Sequence, residues 1–219
     1  MCLPETAPLA IKPGNLSHEE AAALPFGGLT AVYFLQKAGI RPGQKVLIYG
    51  ASGAVGTAAI QIAKYFGAEV TGVCSTANVD LVRSLGADQV IDYTQTDFAR
   101  GGEQYDVIYE TVNKAPFSSL IAALKKNGTL LLGAAMPADM IRGMWVSAAS
   151  GKKVISGVAE ERVESMRLLQ KLAEEGHLKA VIDRGYAFEQ IAEAHSYVDK
   201  GHKKGNVLIG VGATPGLLA

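Results

Sequence analysis

The sequence predicts an α/β fold with a doubly wound parallel sheet and helices on both faces. The first observation is a short apolar run, Val46–Tyr49, that leads into a glycine-rich turn and then into an amphipathic stretch of helical period. The second is repetition, because apolar runs of strand length alternate with helical stretches along most of the chain. Strands separated by helices in this way pair in parallel and are covered on both sides.

The turn after the first strand, Gly50–Gly56, carries three glycines. Gly53 and Gly56 fill the last two positions of a Gly-x-Gly-x-x-Gly pattern, but Ala51 fills the first, and a Gly-x-x-Gly-x-x-Gly pattern describes the turn equally well. The helix beyond the turn aims unpaired N–H groups at it, which favours an anion such as a pyrophosphate. A second strand at 69–73 completes a βαβ unit, which is typical of a Rossmann dinucleotide-binding domain. The predicted cofactor contacts in the turn are Ser52, Gly53, Ala54 and Val55.

Composition narrows the class of protein. The chain has 219 residues, of which 48% are apolar and 19% charged, and its 21 basic side chains balance 21 acidic ones. This balance gives no electrostatic case for binding nucleic acid or an anionic membrane. Two cysteines, Cys2 and Cys74, exclude a disulfide framework and an all-cysteine zinc site, and they favour a reducing, cytoplasmic location. Neither a secretory signal nor a membrane-spanning run is expected.

The other elements follow in the order that such a sheet needs. A proline-rich extended segment covers 1–14, and Ser17 with Glu20 then forms the Ser-x-x-Glu pattern of a capping box. Helices are predicted at 25–39, 54–66, 78–85, 115–126 and 160–175, with further strands at 86–92, 106–110, 129–133 and 153–156. The tail predicts a strand at 180–186, a helix at 188–200 and a strand at 206–210.

Four segments carry a resemblance to a known family. They are Ala21–Ala31, the run from Gly39 through Gly56, Leu85–Tyr93 and His202–Leu208. Their sequences and their order resemble the medium-chain dehydrogenase/reductase superfamily, in its zinc-independent quinone oxidoreductase and enoyl reductase branch. The resemblance implies NAD(P)H-dependent hydride transfer to a quinone, an aldehyde or a conjugated enone.

Members of this family begin with a GroES-like catalytic domain that has no counterpart in this chain. The expected organisation is a connector from that domain at 1–24, a Rossmann domain at 25–179, and a strand–helix–strand segment at 180–219 that returns to the catalytic domain. The chain alone is expected to bind cofactor without turnover, and its catalytic residues stay unassigned. A non-catalytic nucleotide-binding or interaction module remains the alternative.

The end of the second strand bears on the choice of cofactor. NAD enzymes usually place Asp or Glu there to bond the ribose 2′-hydroxyl, whereas Cys74–Asn78 contains no acid. Hydroxyl and amide groups at Ser75, Thr76 and Asn78 suit a 2′-phosphate, so NADP(H) is favoured over NAD(H). The same side chains also suit caps of the next helix, and the segment has no Lys or Arg. The resemblance implies further cofactor contacts at Thr30, Tyr93, Val112, Gly133, Ala134 and Asn206.

The sequence disfavours a metal site. The four histidines are scattered and are expected to be solvated helix residues. The Pro25–Thr30 segment has no cysteine where zinc-dependent relatives carry a ligand.

The resemblance implies a homodimer through a sheet edge, for which the Met144–Gly157 region is the candidate. The substrate is expected to be a small molecule bound between this chain and the catalytic domain.

Overall fold

The computed structural model describes residues 7–134 and 136–211. Six strands form its central sheet: β1 (Lys45–Tyr49), β2 (Glu69–Cys74), β3 (Gln89–Asp92), β4 (Tyr105–Glu110), β5 (Leu124–Leu132) and β6 (Lys153–Ser156). All pair in parallel, in the order β3-β2-β1-β4-β5-β6. The predicted doubly wound Rossmann sheet is therefore confirmed. The strand order reverses between β1 and β4, which is where such sheets bind ligands.

Helices cover both faces of the sheet. They are α1 (His18–Ala23), α2 (Pro25–Ala38), α3 (Ala54–Tyr65), α4 (Val79–Ser84), α5 (Phe117–Ala123), α6 (Pro137–Ser150) and α7 (Val163–Glu174). Side chains of β1 alternate between two cores, because Val46 and Ile48 pack with α2, α3 and α7, whereas Leu47 packs with α5. This alternation buries β1 on both sides and fixes the position of the turn that follows it.

Local signals set the first helix boundaries as predicted. The Ser17 hydroxyl accepts the Glu20 N–H at 3.1 Å, and the Glu20 carboxylate accepts the Ser17 N–H at 2.8 Å, so the capping box is confirmed. The second helix, α2, ends at Gly39, whose φ of 67° is the left-handed cap that glycine favours.

The boundary between α5 and β5 differs from the predicted helix at 115–126. The helix ends at Ala123, and β5 begins at Leu124, which is buried and pairs with Tyr105. The register of β4 and β5 then shifts, and Asn127 adopts a φ of 64°. The Asn-Gly pair therefore marks an irregularity within a strand, because burial of Leu124 draws the chain into the sheet before that pair.

The helix α6 was not predicted. Among its described residues only Gly143 is buried, and a Cβ there would lie 2.7 Å from Val154 on β6. The apolar side chains of α6 point away from the core and give no core-facing period to read. Its exposed apolar residues are Met140, Ile141, Met144 and Trp145.

The C-terminal unit consists of β7 (Ile182–Ala187), α8 (Ile191–Asp199) and β8 (Asn206–Gly210). Its two strands pair in parallel in a sheet of their own. Residues 1–6 of the predicted connector and 212–219 of the predicted tail lie outside the described residues. Across the described residues, the structure contains no helix with the length and apolar character that a membrane crossing requires.

Candidate dinucleotide-binding site

A cavity of about 480 Å³ lies at the carboxyl ends of β1, β2 and β4, at the point where the strand order reverses. Its volume is in the range of small-molecule and cofactor sites. Six of the predicted contacts line it: Ser52, Gly53, Ser75, Asn78, Tyr93 and Val112. The sequence pattern thus converges on one place in the fold, and the roles of these residues in cofactor binding remain a prediction.

The glycine turn forms the floor of this cavity. The N–H groups of Gly50 and Ala51 donate to the Val73 carbonyl of β2 at 3.2 and 3.0 Å, which ties the turn to the neighbouring strand. Gly50 has a φ of 83°, and a Cβ on Gly56 would lie 2.2 Å from the Gly50 carbonyl oxygen. Two of the three glycines are therefore needed for the turn itself.

The third glycine, Gly53, leaves the cavity open. It has an extended φ of −79°, and the nearest neighbour of a Cβ placed on it would be the Gly50 carbonyl oxygen, at an ordinary 3.5 Å. The helix α3 begins at the next residue, Ala54, and its first N–H groups have no intrahelical acceptor. This backbone fits a pyrophosphate, because a helix N-terminus with open space in front of it stabilises negative charge.

The wall at the end of β2 is built from polar side chains that are already engaged with one another. The Asn78 amide donates to the Ser52 hydroxyl at 3.1 Å and to the Ser75 hydroxyl at 3.2 Å. The Thr76 hydroxyl instead donates to the Asp92 carboxylate at 2.6 Å. Ser75 and Asn78 therefore line the cavity, and Thr76 faces the neighbouring strand.

The carboxylate of Asp92 ends β3, beside Cys74 in the sheet register, and the sequence did not single it out. It accepts hydrogen bonds from Thr76, Thr94 and Gln95. The Thr76 bond is the largest cause of its lowered pKa. An acid thus lies one strand beyond the usual position, outside the cavity lining, with its charge compensated by local donors.

The opposite wall is a basic loop from the C-terminal unit, here named the lysine loop and defined as residues 200–204. It contributes Lys200, His202, Lys203 and Lys204, and Lys114 adds a fifth basic side chain from the loop after β4. Among the described residues that line the cavity none is acidic, so its charge favours an anionic ligand. The expectation that all histidines are solvated helix residues is wrong for His202, which lies in this loop, and for His177, which lies beyond the end of α7.

The lysine loop is held in place by its own contacts. The Lys203 ammonium donates to the Gly205 carbonyl at 2.6 Å, and burial lowers the pKa of this lysine. The Lys204 N–H donates to the Asp183 carboxylate at 3.2 Å, which leaves the Lys204 side chain exposed toward the cavity. The sequence contains one signal for this wall, the basic run Lys-Gly-His-Lys-Lys at residues 200–204.

Other predicted contacts lie outside the cavity lining. The Gly133 N–H donates to the Glu110 carbonyl at 2.8 Å, and a Cβ on Gly133 would lie 3.1 Å from the Tyr109 ring. The Tyr109 hydroxyl reaches the Thr30 carbonyl at 3.5 Å, so the buried Tyr109 ring connects two predicted positions. The Asn206 amide donates to Val181 at 3.1 Å and stabilises the C-terminal unit. The predicted contacts outside the lining are Thr30, Ala54, Val55, Thr76, Gly133, Ala134 and Asn206.

Val112 reaches the cavity through a loop that is held by a buried carboxylate. Glu110, at the end of β4, accepts the N–H groups of Val112 at 3.2 Å, Asn113 at 2.7 Å and Lys114 at 3.1 Å. Burial raises the pKa of Glu110, and these hydrogen bonds oppose that rise. The carboxylate thus shapes the loop that presents Val112 and Lys114 to the cavity.

Two features bear on metal and thiol chemistry. Within residues 7–134 and 136–211, no three His, Cys, Asp or Glu side chains lie close enough together to hold a metal ion. Cys74 is buried, and burial followed by the charge of Asp92 raises its pKa to about 11. This thiol lines the cavity but is protonated at neutral pH.

Comparison with known proteins identifies the family. Residues 85–209 match a family model described as zinc-binding dehydrogenase. The chain is 36% identical over 207 residues to 2-methylene-furan-3-one reductase from Solanum lycopersicum, covering 92% of this chain and 49% of the relative. It is 33% identical over 223 residues to the chloroplast envelope quinone oxidoreductase homolog from Arabidopsis thaliana, covering 93% of this chain and 66% of the relative.

A solved structure agrees with this assignment. The quinone oxidoreductase from Coxiella burnetii superimposes with a TM-score of 0.83 at 29% identity, covering 92% of this chain and 63% of that one. The chain belongs to the medium-chain dehydrogenase/reductase superfamily, in the branch of the quinone oxidoreductases and enoyl reductases. It spans 49% and 66% of the two curated relatives.

Proposed function

We propose that this chain is the cofactor-binding part of an NADPH-dependent oxidoreductase that reduces a quinone, a conjugated enone or an aldehyde. The observation that carries the proposal is the cavity that joins the glycine turn, the polar end of β2 and the lysine loop. The printed names of the relatives, a furanone reductase and quinone oxidoreductases, support the class of acceptor.

The preference for NADP(H) over NAD(H) rests on charge. The segment after β2 has no base of its own, but the lysine loop brings basic side chains to the same cavity from the end of the chain. The acid at the end of β3, Asp92, is compensated by Thr76, Thr94 and Gln95. A 2′-phosphate therefore meets donors and positive charge, which supports the phosphorylated cofactor.

The adenosine end has a defined candidate position. Tyr93 is 52% exposed and forms a wall shared by the main cavity and a second cavity of about 290 Å³. Its ring offers an adenine a flat apolar surface. We assign the adenosine to this wall, the pyrophosphate to Gly53, and the nicotinamide ribose to Val112.

The chemistry of the bound cofactor is transfer of a hydride from the nicotinamide ring. The residues of this chain bind and orient: the α3 N-terminus balances the pyrophosphate charge, and Gly133 and Ala134 offer backbone groups to the carboxamide. Thr30 is assigned to a cofactor contact near the catalytic cleft, and Asn206 to a cofactor contact made from the C-terminal unit.

The domain organisation is part of the proposal. We assign 1–24 to a connector, 25–179 to the Rossmann domain and 180–219 to a segment that leads back to a catalytic domain. The substrate pocket then lies between the two domains, and this chain alone binds cofactor with little or no turnover. We also propose a cytoplasmic location for this chain, although the Arabidopsis relative is named for the chloroplast envelope.

We also propose a homodimer through β6, the edge strand of the sheet. The edge leaves backbone groups for pairing, and α6 beside it exposes Met144 and Trp145, the latter by 75%. Light scattering should report twice the mass of the chain, and Trp145→Glu should reduce it to the monomer mass. A wild-type monomer at micromolar concentration would rule out this interface.

Side-by-side fluorescence titrations with NADPH and NADH test the cofactor assignment. Wild type should bind NADPH more tightly, and it should not reduce a quinone with either cofactor. Gly53→Asp should abolish binding without loss of stability, because aspartate is a good helix N-cap but repels a pyrophosphate. Gly53→Asn, which has nearly the same size and no charge, is the matched control and should retain more affinity. Wild-type protein that binds neither cofactor would contradict the proposal.

A further inference from the structure

The side chain of Asn78 connects two walls of the candidate site. It lies at the end of a short 3-10 segment, Thr76–Asn78, directly before α4, and is only 8% exposed. Its Nδ2 donates to Ser52 Oγ in the glycine turn at 3.1 Å and to Ser75 Oγ after β2 at 3.2 Å. Both hydrogens of the amide are thereby used, one on each serine.

The orientation of this amide follows from the count of donors and acceptors. When Nδ2 faces the two serines, the buried Oδ1 of Asn78 has no hydrogen-bond partner among the described residues. The flipped orientation would leave two buried N–H hydrogens without acceptors, and an under-satisfied carbonyl is the more readily tolerated of the two. The orientation in which Nδ2 faces both serines is therefore the better one.

This orientation determines what the serines can offer to a ligand. Each hydroxyl has one hydrogen, and an oxygen that accepts from Asn78 keeps that hydrogen free to donate elsewhere. Neither serine donates to another atom within the described part of the chain, and both line the 480 Å³ cavity. Both serine hydroxyls thus keep a hydrogen that can be donated into the cavity.

We propose that Asn78 is a positioning residue that fixes the hydroxyl groups of Ser52 and Ser75 as donors and thereby favours a 2′-phosphorylated dinucleotide. This inference rests on the proposed function. Phosphate oxygens only accept hydrogen bonds. A pyrophosphate beside Ser52 and a 2′-phosphate beside Ser75 therefore each match a hydroxyl donor. A ribose 2′-hydroxyl is an uncharged and therefore weaker acceptor, so it gains less than a 2′-phosphate from the same Ser75 donor.

Asn78→Asp tests the direction of these hydrogen bonds. Its carboxylate has almost the same shape but accepts from both serines, which turns their hydrogens away from the cavity. The dissociation constant of NADPH should rise at least about tenfold, and that of NADH should rise by a clearly smaller factor, because NADH shares the pyrophosphate near Ser52 but has no 2′-phosphate near Ser75. The same contrast is expected between 2′,5′-ADP and 5′-AMP, which isolate the 2′-phosphate.

A double-mutant cycle separates this effect from added charge and from a structural role. Asn78→Ala adds no charge and should weaken NADPH binding about fivefold, as should Ser75→Ala. In the Ser75→Ala background, Asn78→Ala should add little further loss of the 2′-phosphate contribution, because that contribution passes through the Ser75 hydroxyl. A merely structural role for Asn78 would instead give additive losses and would weaken both nucleotides alike.

The outcomes distinguish this inference from the proposed function. If wild type prefers NADPH but the Asn78 and Ser75 effects are additive, the positioning role is overturned and the proposed function stands. If wild type binds neither cofactor, both fall together. If thermal melts show that the Asn78 variants are unfolded, Ser75→Ala decides alone: a reduced preference for NADPH supports the inference, and an unchanged preference overturns it.

Discussion

The backbone N–H of Gly205 donates to the carbonyl oxygen of Ser52 at 2.8 Å, and Gly205 also forms a β-bridge with Gly53. The C-terminal unit is thus joined directly to the glycine turn. This contact places the lysine loop, residues 200–204, over the cavity that the glycine turn, residues 50–56, begins. A site that looks local in sequence is completed by a distant segment.

We expect Gly205→Ala to destabilise the fold by more than about 2 kcal/mol, because a Cβ there would lie 2.2 Å from the Val181 carbonyl oxygen and φ is 46°. Gly201→Ala is the matched control, since Gly201 has a φ of 72° but open space around it, and should cost about 1 kcal/mol. Urea unfolding measures both. Equal losses for the two variants would show that the close approach at Gly205 does not matter.

The lysine loop should act on cofactor binding through charge. Changing Lys200 and Lys204 together to Gln should weaken NADPH binding about 3- to 10-fold in low salt, and by less in 0.5 M salt, because these exposed charges are screened. Changing Lys126, which is exposed beside a different cavity, should have no effect. Titrations at two salt concentrations check this, and a salt-independent loss would contradict an electrostatic role.

Glu110→Gln should change stability at pH 7 by less than about 1 kcal/mol, because the amide accepts fewer of the three N–H groups but also removes a charge that burial disfavours. The change should also alter the pH dependence. Since burial raises the pKa of Glu110 above its ordinary value, the folded state holds this proton more tightly than the unfolded state. The contribution of this group to stability is then fullest below the ordinary glutamate range and falls as pH rises through the folded pKa.

Urea unfolding between pH 4 and pH 8 measures that slope. The stability of Glu110→Gln should fall less with rising pH than that of wild type, whereas exposed Glu161→Gln should follow wild type. Parallel curves for wild type and Glu110→Gln would contradict a raised pKa.

Cys74 should react slowly with alkylating reagents. With a pKa of about 11, its thiolate at pH 8 is roughly 100-fold scarcer than that of a free cysteine, and the side chain is buried as well. In a Cys2→Ser background, iodoacetamide labelling of native protein should be at least that much slower than labelling in urea. Rapid labelling of the native protein would show that Cys74 is accessible and activated.

Much of the fold could be predicted because its signals are local. The run from Lys45 through Cys74 contains a buried strand, a turn and a helix whose boundaries follow from adjacent residues, and Ser75 and Asn78 come directly after it. The predicted end of the α5 helix, at residue 126, is wrong, because the helix stops where Leu124 is buried, and this burial depends on tertiary contacts. The helix α6 carries its apolar residues outward and so shows no period relative to the core.

The missed parts of the candidate site depend on contacts between distant segments. The lysine loop is brought to the cavity by the contacts of the C-terminal unit with the rest of the fold, among them the bridge from Gly205 to the glycine turn. Asp92 approaches Thr76 because β2 and β3 are neighbours in register. Glu110 matters because it is buried at a strand end, which its position in the sequence does not reveal.

The most direct test of the proposed cofactor site is a map of backbone amide shifts in the purified, isotope-labelled chain as NADPH is added. The largest changes should fall on the glycine turn 50–56, the segment 74–78 and the lysine loop 200–204 together. Changes confined to residues 8–13 together with Met166, Leu169, Gln170 and Ala173, which line a separate cavity of about 240 Å³, would contradict this site and place the nucleotide elsewhere.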